Sequence, residues 1–283
     1  MKQKIALVLS SGGSKGIAHI GAIKQFEKHG FEISSITGSS IGAVSGGLFA
    51  MGKLNLYEKW VTTLDRRSIL SLMDFEQESH GLLKGEKVFE HMKLFIPDFE
   101  IEHMQIPFRA VATDLVNNHQ VVFDKGSFYA AARASISSPA LFLPAHNQNR
   151  FLIDGSILNP IPINCAVRTE GDLLAVINLY DTSQQKPAGA VKNSSVVNSN
   201  PEPKNEGRLP FGRSNASYNA FILASFTAME QRLAELIVDK VSPDITVNIP
   251  GESKNIFEFY KAAELIQIGE KAANEAITSF LKE

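Results

Sequence analysis

Two stretches of this 283-residue chain follow the same formula, G-x-S-x-G: Gly12-Gly13-Ser14-Lys15-Gly16 and Gly38-Ser39-Ser40-Ile41-Gly42. A serine at the centre of that spacing suits nucleophilic chemistry. Flanking glycines let the backbone turn sharply from a strand into a helix, and the turn lifts the hydroxyl clear of its neighbours. The helix that follows offers backbone N–H groups near any negative charge that develops there. The local turn alone does not separate Ser14 from Ser40. The first loop differs in composition, with adjacent glycines whose N–H groups are free to converge on an anion and with Lys15 beside them. One loop as nucleophile and the other as oxyanion cradle is the economical pairing.

A nucleophilic serine needs a base. The seven histidines are His19, His29, His80, His91, His103, His119 and His146, and none has a motif around it. The stronger candidate is acidic. Phe151-Leu152-Ile153-Asp154-Gly155-Ser156 places an aspartate at the end of an apolar run, followed by a glycine that permits a turn. At the C-terminal edge of an open α/β sheet, where such folds place their sites, partial desolvation would raise this carboxylate toward neutrality and fit it to accept the serine proton.

The elements that must hold these residues are legible in the periodicity. An apolar run at Lys4–Leu9 reads as a buried strand entering the first glycine loop. A helix from about Ile17 to His29 repeats Ile17, Ile20, Ile23 and Phe26 at helical spacing and ends at Gly30. A second strand at Glu32–Thr37 enters the second loop, and a small-residue helix runs from Ile41 to about Met51. Strand, helix, strand, helix with short connections predicts parallel pairing. Residues 54–100 read as helical and irregular. Strands follow at Phe108–Thr113, Gln120–Phe123, Phe151–Ile153, Leu173–Leu179 and Asp244–Ile249, with helices at Phe128–Ser135, Tyr218–Val238 and Tyr260–Lys282. The stretch 181–217, rich in Ser, Asn, Pro and Gly, reads as a flexible insertion in a single domain spanning 1–283.

Bulk properties narrow the function classes. A net charge of −2 and the lack of a basic stripe argue against nucleic acid as a partner. The single cysteine, Cys165, excludes an internal disulfide and any cysteine-based zinc cluster, and fits a reducing, cytoplasmic setting. The apolar run after Met1-Lys2-Gln3-Lys4 is too short for the core of an export signal. No stretch approaches the ~18 uninterrupted apolar residues that would span a bilayer.

Taken in order, Ser11-Gly12-Gly13-Ser14-Lys15-Gly16, the pentapeptide Gly38 to Gly42, and Asp154-Gly155-Ser156 resemble the three signatures of patatin-like phospholipases: a G-G-G-x-[RK]-G oxyanion loop, a G-x-S-x-G elbow and a D-G-[GA] box. Ala112-Thr113-Asp114-Leu115, Arg133 through Pro139, Asn159-Pro160-Ile161-Pro162 and Pro243-Asp244-Ile245 are also similar to that family. The resemblance implies a three-layer α/β/α domain with a mainly parallel sheet, and a Ser–Asp dyad without histidine. That settles the choice of serine on Ser40, with Asp154 as base. The backbone of Gly12, Gly13 and Ser14 is then the oxyanion hole, Ser11, Lys15 and Gly16 support that loop, and Gly38, Ser39, Ile41 and Gly42 form the elbow. It implies a lipid or acyl-ester substrate, transient contact with a membrane surface, and no cofactor or metal. Two positions depart from the pattern: Ser11 stands where the family has glycine, and Ser156 where it has glycine or alanine.

Two other readings carry definite expectations. A catalytically silent lipid-binding relative would leave a generic ester intact. A dinucleotide-binding protein is suggested by Ser11 to Gly16, one residue from G-x-G-x-x-G, but requires an acid closing the second strand, where this chain has Thr37-Gly38-Ser39.

Overall fold

The computed structural model describes residues 2–76, 82–147, 150–181, 218–250 and 258–282. Strand β1 (Lys4–Leu9) is buried on both sides, and its alternation divides the core. Ile5, Leu7 and Leu9 point into the larger apolar cluster, while Val8 joins the smaller one on the opposite face. Strand β7 (Leu173–Asn178) repeats the division, with Ala175 and Ile177 on the first face and Leu174 and Val176 on the second.

The larger cluster is closed by α1 (Ala18–Lys28), α2 (Ile41–Ala50), α3 (Leu54–Val61), α5 (Lys87–Lys93) and α8 (Ala262–Phe280). The smaller is closed by Ile161, Ile163 and the C-terminal half of α7 (Tyr218–Val241), through Ala234, Ile237 and Val238. The result is the three-layer arrangement expected, with unequal layers. A short α4 (Arg66–Leu72) contributes no buried residue, and α6 (Phe128–Ser135) begins at Ser127, whose hydroxyl caps the Ala130 N–H.

The sheet runs β5-β6-β3-β2-β1-β7-β8. The five-strand centre is parallel: β3 (Phe108–Asp114), β2 (Glu32–Ser39), β1, β7 and β8 (Ile245–Asn248). Beyond β3 the direction reverses. Both β4 (His119–Phe123) and β6 (Arg150–Asp154) pair with β3 antiparallel, and β5 (Ala145–Asn147) pairs antiparallel with β6.

Most elements fall within a residue or two of their sequence-based bounds. Three differences have physical causes. The first helix starts as a 3-10 turn over Gly13–Ile17 before α1, because the glycine loop must double back at the end of β1. β5 was not expected, being only three residues long and carrying no alternating pattern. The aspartate strand β6 runs antiparallel, so Asp154 does not come off the C-terminal edge of a parallel strand. It reaches the site by register instead: Ser39 pairs with Val111, and the next residue of β3, Ala112, pairs with Asp154. The segment read as an insertion lies outside the described residues from 182 onward. The strand β8, which follows that segment in the chain, joins β7, which precedes it, in the same sheet.

Candidate active site

Register brings Ser40 and Asp154 together along one edge of β3, where β2 pairs as far as Val111 and β6 pairs from Ala112 onward, and their side chains meet. The Ser40 hydroxyl donates to Asp154 Oδ2 at 2.6 Å. Ser40 sits at φ 54°, ψ −125°, a conformation that glycine tolerates and serine does not adopt without cost. The surroundings enforce it. Its N–H donates to Ser135 Oγ at 2.8 Å, and Ser135 in turn donates to the Val111 carbonyl at 2.6 Å. Its carbonyl accepts from Ala43 N–H at 2.9 Å, starting α2. Gly38 and Gly42 are pressed together: a Cβ on Gly38 would lie 2.3 Å from the Gly42 carbonyl carbon, and one on Gly42 would lie 2.5 Å from the Leu9 carbonyl oxygen. The glycines are therefore needed for close approach as much as for the turn. Ser39 is fully buried beneath the elbow, and Ile41 lines the cavity above it.

The other G-x-S-x-G loop has a different shape. Gly12 (φ 154°) and Gly13 (φ 58°) take the unusual angles, while Ser14 falls inside the 3-10 turn and is buried. Among the described residues the N–H groups of Gly12 and Gly13 donate to no backbone carbonyl. Both glycines line the same cavity as Ser40 and Asp154, and Ser14 does not. Lys15 Nζ donates to the Leu179 carbonyl, tying the loop to the end of β7. Burial lowers the pKa of Lys15, and nearby Asp181 opposes that shift. Gly16 is buried against Ile41, fixing the turn to α2. Ser11 meets the hydroxyl of Tyr180.

The cavity these groups face has a volume of about 410 Å³ and is mostly apolar. Val44, Tyr57, Val61, Met92 and Leu223 form much of its wall, and Asp154, Tyr180 and Glu230 are among its ionisable groups. Burial pushes the Asp154 carboxyl up to about 6, against the opposing hydrogen bonds from Ser40 and Ser156. Burial also raises Glu230, on α7, to about 7, and the neighbouring Asp154 charge adds to that rise.

Sequence reasoning missed three residues here. Ser135 lies in a stretch that resembles the family, but its contact with Ser40 crosses from another element. Tyr180 and Glu230 carried no local signal, each being an ordinary residue in its stretch of sequence. The described histidines lie away from the cavity, and His80 is outside the described residues. His19 is buried, bonds the Ser10 carbonyl at 2.9 Å and is lowered by burial to about 4, so it is a neutral core residue. Among the described residues no group of three or more His, Cys, Asp or Glu is placed to hold a metal ion, and no helix is long and apolar enough to cross a membrane.

The family model for patatin-like phospholipases matches residues 7–167. An uncharacterized NTE family protein of Mycobacterium bovis is 39% identical over 185 residues, covering 65% of this chain and 51% of that protein. The lysophospholipase NTE1 of the yeast Meyerozyma guilliermondii is 25% identical over 289 residues, covering 98% of this chain and 19% of its own length. The chain thus spans about half the length, or less, of these curated relatives. Among solved structures, VipD of Legionella pneumophila aligns over 99% of this chain and 67% of its own, at 13% identity and a TM-score of 0.49. On the strength of the family match, which takes in the elbow, the glycine loop and the aspartate box together, the chain belongs to the patatin-like phospholipase family.

Proposed function

We propose that this protein hydrolyses carboxylic esters of lipids through an acyl-enzyme, with Ser40 as nucleophile and Asp154 as its base. The observation that carries this reading is the 2.6 Å hydrogen bond from the Ser40 hydroxyl to Asp154, made from a strained backbone conformation at φ 54°, ψ −125°. Membership of a phospholipase family and a mostly apolar cavity beside the pair support a lipid acyl group as substrate.

In this mechanism Asp154 takes the proton as Ser40 Oγ attacks the ester carbonyl. Gly12 and Gly13 N–H groups hold the oxyanion. The proton then passes from Asp154 to the departing alcohol, leaving the acyl group on Ser40. Asp154 next draws a proton from water, which attacks the acyl carbon, and Ser40 regains its proton as the acid leaves. A carboxyl held near 6 is ionised at neutral pH and still basic enough to act. The departures at Ser11 and Ser156 do not displace the pair: Ser156 gives its N–H to Asp154 Oδ1 at 2.9 Å and turns its hydroxyl away to Glu230.

The test is labelling with a fluorophosphonate probe followed by mapping of the modified residue. Label on Ser40, blocked in Ser40→Ala and accompanied by loss of p-nitrophenyl ester hydrolysis, is the expected result. Hydrolysis without label at Ser40 would overturn the assignment. Absence of both label and hydrolysis would favour a silent lipid-binding role.

A further inference from the structure

The two positions at which this chain departs from the family pattern are the two ends of one hydrogen-bonded chain. Ser156 Oγ donates to Glu230 Oε1 at 2.6 Å. Tyr180 OH donates to Glu230 Oε2 at 3.1 Å, and the same Tyr180 hydroxyl meets Ser11 Oγ. All four residues line the cavity that holds Ser40 and Asp154. The chain starts beside Asp154 and ends beside Gly12, the first of the two glycines whose N–H groups donate to no backbone carbonyl among the described residues. A glycine at 11 or a glycine or alanine at 156 would have no hydroxyl to contribute.

We propose that Glu230 is a positioning residue of the dyad, which through Ser156 and Tyr180 braces the Asp154 loop against the oxyanion loop and anchors both to α7. The inference rests on the hydrolase reading above. Physically, α7 joins the smaller apolar cluster through its C-terminal half, and Ala234 is its one fully buried residue. Glu230 is one turn before Ala234, on the face that carries Leu223, Thr227 and Gln231 into the cavity. A carboxyl group is suited to the task because its two oxygens can bond two hydroxyls on separate loops at once.

The charges facing Glu230 are few. Asp154 lies on the loop after β6, and Tyr180 and Asp181 follow β7. Lys15 is in the oxyanion loop, with its ammonium engaged by the Leu179 carbonyl. On α7 itself Arg232 turns outward to Glu235. Tyr180 stays protonated, because burial drives its pKa well above 10. Burial and then the neighbouring Asp154 charge raise Glu230 to about 7, so the two carboxyls titrate as a coupled pair.

The experiment compares steady-state kinetics on a short p-nitrophenyl ester for wild type, Glu230→Ala, Glu230→Gln, Ser156→Ala and the Ser156→Ala/Glu230→Ala double variant. Glu230→Ala should lower kcat by about tenfold or more with KM changed less than about threefold, and Glu230→Gln, which keeps an acceptor for Ser156, should recover most of that loss. The double variant should be no slower than Glu230→Ala alone, since both cut one link. The wild-type kcat/KM profile should show an inflection near 7 that Glu230→Gln lacks. Wild-type kcat in Glu230→Ala, no recovery in Glu230→Gln, additive losses, or identical pH profiles would each overturn the proposal. If the wild type neither hydrolyses ester nor labels at Ser40, the hydrolase reading fails by itself. Carbon-13 NMR titration of the Glu230 carboxyl then decides: a midpoint near 7 that rises in both Ser156→Ala and Tyr180→Phe supports the brace. An ordinary midpoint that neither variant moves overturns it.

Discussion

The loops after β1 and β2 have the same formula, each leaves a parallel strand of the same sheet, and each leads into a helix of the same layer. Their serines nonetheless end in opposite conditions. Ser40 takes the positive-φ position itself, keeps 9% of its surface exposed and points its hydroxyl at a buried carboxylate. In the first loop Gly12 and Gly13 absorb the unusual angles, so Ser14 relaxes into a 3-10 turn with 1% exposed. The strain differs because the partners differ. The second loop is clamped by Ser135 and by the contact of Gly38 with Gly42, whereas the first is held open by Lys15 and Leu179. One formula therefore yields a strained side chain in one place and exposed backbone amides in the other.

The sharpest way to break that comparison is to truncate each serine. Ser40→Ala should lower kcat for a p-nitrophenyl ester by about four orders of magnitude or more, while Ser14→Ala should keep most of the rate. The reverse pattern would exchange the roles of the two loops. Asp154→Asn, nearly isosteric but unable to accept a proton, should fall almost as far. In the wild type the rate should rise with pH through about 6 as Asp154 ionises. The stability effect runs the other way. Asp154 is raised from 3.8 to about 6 in the folded state, so folding is favoured most below the unfolded value and loses that contribution as pH rises through 6. Asp154→Asn has no such loss and should be more stable than wild type above that pH, by up to ~3 kcal/mol, with the gap closing in acid. Denaturant melts at the two pH extremes measure this, and a less stable variant at high pH would contradict the desolvated carboxylate.

The oxyanion side of the comparison is tested through backbone freedom. Gly13 at φ 58° has little tolerance for a β-branched side chain, so Gly13→Val should misplace an N–H donor and cost ~3–4 kcal/mol in the barrier. Wild-type kinetics in a folded Gly13→Val protein would remove this loop from the chemistry.

What the sequence made legible follows the range of the interactions. β1, β2, α2 and α6 were readable because their apolar spacing and glycine punctuation are local, and so were both elbows. The difference in shape between the Ser14 and Ser40 loops was not legible locally, since it depends on Ser135 on α6 and on Leu9 behind Gly42. The strand that ends at Asp154 was legible from its apolar run and glycine, but not the antiparallel direction of β6, which depends on pairing with β3 across a connection through α6. Glu230 was invisible because it is one of two glutamates in a 24-residue helix and is ordinary until the residue after β7, Tyr180, lies beside it. The bounds of helix α7 were nearly right; which face met the cavity was a tertiary fact.

The smallest expected effect is the most specific to the difference between the loops. Replacing a residue with glycine removes Cβ strain where φ is positive and adds conformational freedom to the unfolded chain everywhere. Alanine at the same site removes the hydroxyl but keeps the Cβ, so the difference between the glycine and alanine variants isolates the backbone term. At Ser40, whose φ of 54° sits with ψ at −125°, Ser40→Gly should be more stable than Ser40→Ala by ~1 kcal/mol, because the relieved strain exceeds the entropy cost. At Ser14, in a helical turn with no positive φ, the sign should invert, with Ser14→Gly less stable than Ser14→Ala by ~0.5–1 kcal/mol. The comparison is made by chemical denaturation of the four variants near pH 5, where Asp154 is largely protonated and the lost serine hydroxyl leaves no buried charge unpaired. Equal signs at the two positions would mean that the strain at Ser40 is not stored in its backbone, and that the two loops differ in their partners alone.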